Sequence, residues 1–272
     1  MSMTEMRNPK TMHIDKMDTM SMLKIINEEN MNSVNAVGEA LESIEKAVDT
    51  VAEAFKHGGR LIYAGAGTSG RLAVSDAAEC PPTFGVDYNT VLALHAGGRD
   101  AMFRAAENVE DSAEAGREDL LKLEINENDV IMGISASGNA NYVCSVIQTA
   151  KEYGCKTISL PNNLPCRIAE LADIPIAVIT GPEVITGSTR MKAGNAQKMV
   201  LNMITTCAMV KTGHVYENLM INLKPTNIKL KRRMIGIVSE ICGVSEDKAL
   251  LLLENNEFVI RKAIAAFEAE AK

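Results

Sequence analysis

The period of the apolar positions changes near residue 58. Before it, Met22, Ile25 and Ile26, then Val37, Leu41, Ile44, Val48, Val51 and Phe55, recur at helical spacing, and Gly58-Gly59 supplies a stop. Beyond it, short runs of Val, Ile and Leu at 61–64, 91–94, 130–134, 157–160 and 174–179 alternate with helical segments at 70–78, 101–123, 140–153 and 165–171. Such alternation predicts an α/β fold, a parallel sheet of five strands with helices on both faces. Residues 188–210 read as one long buried helix. The last stretch reads as three short helices: Gly243 ends the first, Ser245 and Lys248 open the second, and Asn255-Asn256 break into the third. Three regions are therefore expected: an N-terminal helical segment (1–57), an α/β domain (58–224) and a small helical unit (225–272).

Composition narrows the classes without choosing one. A net charge of −7 disfavours nucleic acid and anionic membrane surfaces as partners. No apolar stretch approaches the roughly 18–20 residues needed to span a bilayer, and MSMTEMRNPK lacks a signal-peptide core. The six cysteines show no C-x-x-C spacing and read as reduced thiols of a cytoplasmic protein. His13, His57, His95 and His214 have no metal-ligand spacing, so no metal is expected.

The chemistry concentrates in RLIYAGAGTSGRLAVSDAAECPPTFG, residues 60–85. An apolar run ends in a glycine-rich turn bearing Thr68 and Ser69, and a helix follows. Free backbone N–H groups and the helix dipole converge on such a turn, which makes an anion pocket. The spacing Gly65-Ala-Gly67-Thr-Ser-Gly70 also fits the dinucleotide pattern. However, the second strand ends in Leu94-His95-Ala96-Gly97-Gly98 without the carboxylate that would hold a ribose. A single phosphoryl group is the better match. Pro81 and Pro82 are expected to stop the helix, leaving Glu79 partly buried at its end.

Two further loops carry hydroxyls. Ser135-Ala-Ser137-Gly138 follows the third strand, at the edge where parallel sheets bind ligands, although serines there also cap helices. Gly181-Pro-Glu183 leads into Gly187-Ser188-Thr189-Arg190-Met-Lys192, where Ser188 or Thr189 can cap the long helix and the cations stand near an anion site. Candidate ligand-binding residues are thus Thr68, Ser69, Ser135, Ser137, Gly138, Glu183, Ser188, Thr189 and Lys192. Glu110, in the acidic run Glu110-Asp111, reads by itself as helix-dipole compensation more readily than as catalysis.

TSGRLAVSDAAECPPTFG, AENVEDSAEAG, GPEVITGSTRMKAGNAQKMVLNM and HVYENLMINLKPTN together resemble the N-acetylmuramic acid 6-phosphate etherase family of the sugar isomerase (SIS) domain group, which is related to the glucokinase regulatory protein. The resemblance runs from Thr4-Glu5-x-Arg7-Asn8 to the C-terminal helices. It implies a flavodoxin-like five-stranded SIS sheet, a homodimer and a small, UBA-like helical unit. It also implies a cofactor-free lyase acting on a phosphorylated amino sugar, with Glu110 as base and Glu79 as acid. The site is expected to borrow residues across the dimer, and the apolar stripes of 16–57 are expected to pair with a second copy.

The chain departs from the family pattern where Asn139-Ala140-Asn141 replaces an Arg-Thr-Pro run, which bears on how the sugar is held. Two other classes stay open on sequence grounds: a non-catalytic sugar-phosphate sensor and an aldose–ketose isomerase. The retention of both Glu79 and Glu110 weighs against the sensor.

Overall fold

A computed structural model describes residues 3–104, 106, 108–225 and 227–270. The chain divides into two compact units, Met1–Ala77 with Asn89–Ala208, and Ala78–Tyr88 with Met209–Lys272. The N-terminal helices thus fall in the same unit as the sheet, and the division falls within helices.

The larger unit opens with helices α1 (Thr19–Glu39) and α2 (Leu41–Lys56). Strands β1 (Leu61–Gly65), β2 (Val91–His95), β3 (Val130–Ser135), β4 (Lys156–Pro161) and β5 (Ile174–Pro175) form one parallel sheet in the order β2-β1-β3-β4-β5. Between them lie α3 (Gly67–Phe84), α4 (Gly98–Phe103), α5 (Ala113–Leu121), α6 (Asn141–Glu152) and α7 (Arg167–Leu171), and α8 (Lys192–Lys211) follows. Ile62, Ala64 and Ile131 on one face of the sheet pack with Leu120 of α5 and Val143, Val146 and Ile147 of α6. On the other face the Tyr63 hydroxyl donates to Asp76 of α3 at 2.9 Å. Asn202 and Thr205 of α8 also donate to that carboxylate. Burial pushes the Asp76 carboxyl up, against the lowering effect of these bonds.

Three sequence expectations change here. The fifth strand keeps only two ladder residues because Pro175 has no N–H to donate. The chain still follows β4, with Ile176 N donating to Ser159 O and Val178 N to Pro161 O. The helix expected over 101–123 is broken: Asn108 sits at φ 62, and the Ser112 side chain caps α5. Glu110 therefore lies in a 3₁₀ turn, Val109–Asp111. Finally, α3 runs through Pro81 and Pro82. Their fixed φ is already helical, so they remove two N–H donors without bending the chain out of the helix, which ends only at Gly85, φ +69.

The smaller unit holds an antiparallel pair, β6 (Val215–Tyr216) and β7 (Leu219–Met220), and the three expected helices. These are α9 (Ile228–Cys242), α10 (Glu246–Asn255) and α11 (Ile260–Glu270), around Met234, Val238, Ala249, Leu253, Ile260 and Ala263. Gly243 adopts φ 62 at the end of α9, and the Ser245 hydroxyl accepts Lys248 N–H to start α10.

The turn after β1 depends on close backbone approach. A Cβ on Gly70 would stand 2.6 Å from Gly65 O and 2.6 Å from the His95 ring. Replacing Gly70 by alanine should therefore cost about 2 kcal/mol in urea unfolding. An unchanged midpoint would show that the loop relaxes freely.

Candidate active site

The strand order reverses between β1 and β3, neighbours that carry Gly65 and Ile134 in register, so the loops after these strands part. A cavity of about 250 Å³ opens there. One wall is the start of α3, with Gly67, Thr68 and Ser69. Facing it is the loop after β3, with Ser135, Ala136 and Ser137. Glu110 of the 3₁₀ turn closes one side, and Gly187 and Thr189 another. Gly67 adopts φ +53, which turns the chain into α3. The first bond of that turn runs from Gly70 N to Ala66 O, so the N–H groups before it have no partner carbonyl in the helix. His95 braces the loop, its ring nitrogens lying 2.8 Å from Ala96 O and 3.2 Å from Gly67 O.

Polar side chains behind the walls fix these loops. Ser69 Oγ donates to Gln197 Oε1 at 2.9 Å, Gln197 Nε2 donates to Asn162 Oδ1 at 2.8 Å, and Asn162 Nδ2 donates to Val178 O at 2.8 Å. Ser135 Oγ accepts Gly138 N–H at 3.2 Å, and Ser137 Oγ accepts Asn139 N–H at 3.3 Å. Gly138 itself does not line the cavity. It adopts φ +73 with its α-carbon against Cys166, where a Cβ would collide with the thiol. Arg167 donates to Asn141 Oδ1 at 2.6 Å, and its backbone N–H donates to Asn139 Oδ1. An arginine from α7 thus engages the two asparagines that stand in the unusual run 139–141. Arg71, one turn into α3, donates to the carbonyls of Ala101 and Met102 and so ties α3 to the end of α4.

Two expected ligand groups are engaged elsewhere. Glu183 accepts the backbone N–H groups of Lys192 and Ala193, at 3.0 and 2.9 Å. It caps α8 from nine residues upstream, which is why that helix begins at Lys192 and neither Ser188 nor Thr189 caps it. The Lys192 ammonium, 1% exposed, lies 2.5 Å from the carboxylate of Glu29, 3% exposed, on α1. Burial opposes ionisation of Glu29. Hydrogen bonds from Lys192, Lys10 and Asn8 outweigh it and hold the carboxyl down to about 2. Both Glu183 and Lys192 thus have partners within the protein, and Ser188 lies outside the cavity lining.

Glu79, in the smaller unit, is exposed on α3, so the partly buried carboxyl expected beside the prolines is not found. Sequence reasoning missed Thr4 and Glu5, which line the cavity. They arrive on an N-terminal strap held by hydrogen bonds from Met3 N to Asn163 Oδ1 (2.9 Å), from Asn8 Nδ2 to Pro182 O (3.2 Å) and from the Thr11 hydroxyl to Val184 O (2.8 Å). The strap has no apolar period to announce it.

The glucokinase regulatory protein N-terminal SIS domain family matches residues 43–151, and the SIS domain family matches residues 101–207. The phosphoheptose isomerase of Neisseria gonorrhoeae superposes with a TM-score of 0.52 at 20% identity, over 69% of this chain and 98% of that one. Fold and ligand edge together define a SIS-domain protein. An N-acetylmuramic acid 6-phosphate etherase from Clostridium botulinum (strain Loch Maree / Type A3) is 48% identical over 98% of this chain and 88% of its own length. One from Salmonella agona (strain SL483) is 47% identical over 96% of this chain and 88% of its own. The chain belongs to the N-acetylmuramic acid 6-phosphate etherase family.

If Lys192 is structural, Lys192→Met should cost about 3 kcal/mol at pH 7, because it strands a buried carboxylate. Glu29 is lowered from 4.5 to about 2, so its contribution is full above 4.5 and disappears as the pH falls toward 2. The deficit of the variant should shrink over the same interval in denaturant unfolding. A stable variant with selectively lost ligand affinity would return Lys192 to the binding site.

Proposed function

We propose that the chain is a carbon–oxygen lyase that cleaves the D-lactyl ether of N-acetylmuramic acid 6-phosphate, giving N-acetylglucosamine 6-phosphate and D-lactate. The observation that carries this reading is Glu110, a carboxylate standing in one cavity with the hydroxyl-bearing loops after β1 and β3. Family membership supports the substrate. In the open-chain sugar, C1 is an aldehyde and acidifies the C2 proton. Glu110 takes that proton, and the C3–O bond to lactate breaks. The Glu79 carboxyl supplies the proton to the departing oxygen. Water then adds to C3 of the unsaturated aldehyde, its proton going to Glu79 while Glu110 returns one to C2. Elimination and hydration balance without net oxidation, so the residues need only position and move protons.

Glu79 acts from a second copy. Its exposure on α3 supports this, as does a stripe of exposed apolar side chains on α1. Met20, Leu23, Met31 and Val34, each more than half exposed, fall on one helical face, a surface suited to a homodimer. Six cysteines that form no disulfide fit a cytoplasmic setting.

Incubation with N-acetylmuramic acid 6-phosphate should release D-lactate. Glu110→Gln should lower that rate by about 100-fold or more while retaining N-acetylglucosamine 6-phosphate binding. Ketose formation without lactate would favour an isomerase, and tight binding without turnover a sensor. Mixing unfolded Glu79→Gln and Glu110→Gln chains and refolding them tests the shared site. If each site takes one carboxylate from each copy, mixed dimers hold one intact site, and about a quarter of wild-type activity returns. If both carboxylates act within one chain, the mixture stays inactive.

A further inference from the structure

A second cavity adjoins the one described above. It holds about 370 Å³ and is walled by α1, the start of α3 and the start of α8. Thr68 lines both spaces. Thr189 and Arg190, consecutive in the turn before α8, line one each. That turn is held at both ends, with Ser188 N donating to Ile185 O and Gly194 N donating to Thr189 O, each at 3.0 Å. Gly194 presents no side chain beside Thr68, whose methyl carbon would stand 3.3 Å from a Cβ there.

The two spaces differ in charge. The ionisable side chains lining the first are carboxylates, Glu5 and Glu110. Those lining the second are cations, Arg190 and Lys198, both exposed. Among the described residues neither cation forms a salt bridge. Nearby charges are already matched, Lys192 by Glu29 and the end of α8 by Glu183. Positive charge is therefore left over beside the sugar cavity. A guanidinium also offers paired N–H donors in the geometry of a carboxylate.

The substrate read above carries two anionic groups, the phosphate on C6 and the carboxylate of the lactyl ether on C3. C3 adjoins the carbon that gives its proton to Glu110, so a lactyl carboxylate turned toward Glu110 would meet like charge. Turned toward Thr68 and Thr189, it meets the second cavity. We propose that this cavity is the subsite for the lactyl carboxylate, with Arg190 as its anchor and Lys198 as a supporting cation. The inference rests on the etherase reading of the first cavity. It makes Arg190 a specificity-determining residue, one that tells N-acetylmuramic acid 6-phosphate from the same sugar without its lactyl group.

The test compares wild-type protein with Arg190→Gln in two measurements: KM for D-lactate release from N-acetylmuramic acid 6-phosphate, and the Kd of N-acetylglucosamine 6-phosphate. Arg190→Gln should raise KM about tenfold, the value of one charge-assisted hydrogen bond, and leave that Kd within about twofold. Arg190→Lys, which keeps the charge and loses the fork, should fall between. Equal weakening of both ligands would make Arg190 a phosphate ligand or a structural residue and overturn the proposal. An unchanged KM would place the carboxylate elsewhere and overturn it equally. A wild-type protein that binds N-acetylglucosamine 6-phosphate and releases no lactate would remove the etherase reading, and this one with it. If thermal unfolding shows Arg190→Gln to be unfolded, Lys198→Gln repeats the comparison with a rise in KM of about threefold.

Discussion

The chain leaves β1 for β2 on one side of the sheet, while β3 begins the run to β4 and β5 on the other. Because β1 and β3 are nevertheless neighbours, their loops diverge from adjacent strand ends and leave a space that packing cannot close. The rest of the candidate site follows from that reversal. It points the start of α3 and the two serines of the next loop at the same volume, and it lets the 3₁₀ turn with Glu110 reach the rim. The glycines of the first turn are needed for closeness, since Gly70 lies against both Gly65 and His95.

Around this space the larger unit keeps its strongest charges out of the ligand's way. The buried Lys192–Glu29 pair joins α8 to α1, and Glu183 neutralises the N-terminus of α8. What lines the cavity is mostly hydroxyl and main-chain N–H, with carboxylates at Glu5 and Glu110. Such a lining suits a ligand that is anionic at one end and hydroxylated at the other, whose charge is met by many weak donors.

The fold was legible because its signals are local. Val- and Ile-rich runs gave the strands, and glycine and serine punctuation gave the three C-terminal helices almost to the residue. The hydroxyl loops were legible for the same reason, since Thr68, Ser69, Ser135, Ser137 and Thr189 all reach the cavity. What sequence could not give were long-range commitments. Lys192 reads as a cation beside an anion site until Glu29, 163 residues away, takes it up. Glu183 looks like a ligand until the backbone of α8 claims it. Prolines 81 and 82 suggested a helix end because their lost donors are visible in sequence, whereas the compatibility of their φ with a helix is a matter of context.

The strap that brings Thr4 and Glu5 to the cavity has a bearing on how the molecule assembles. Its anchors lie at sequence separations of 160 to 174 residues, from Met3 to Asn163 and from Asn8 and Thr11 to Pro182 and Val184. Closing a loop of that span carries a large entropic toll, and nothing can be gained from it until β4 and the segment after β5 exist. During synthesis those early residues must wait, solvated, while the sheet forms behind them. The binding chamber is thus among the last features to mature, and a nascent chain stalled before residue 163 would own most of its strands and yet no finished ligand pocket.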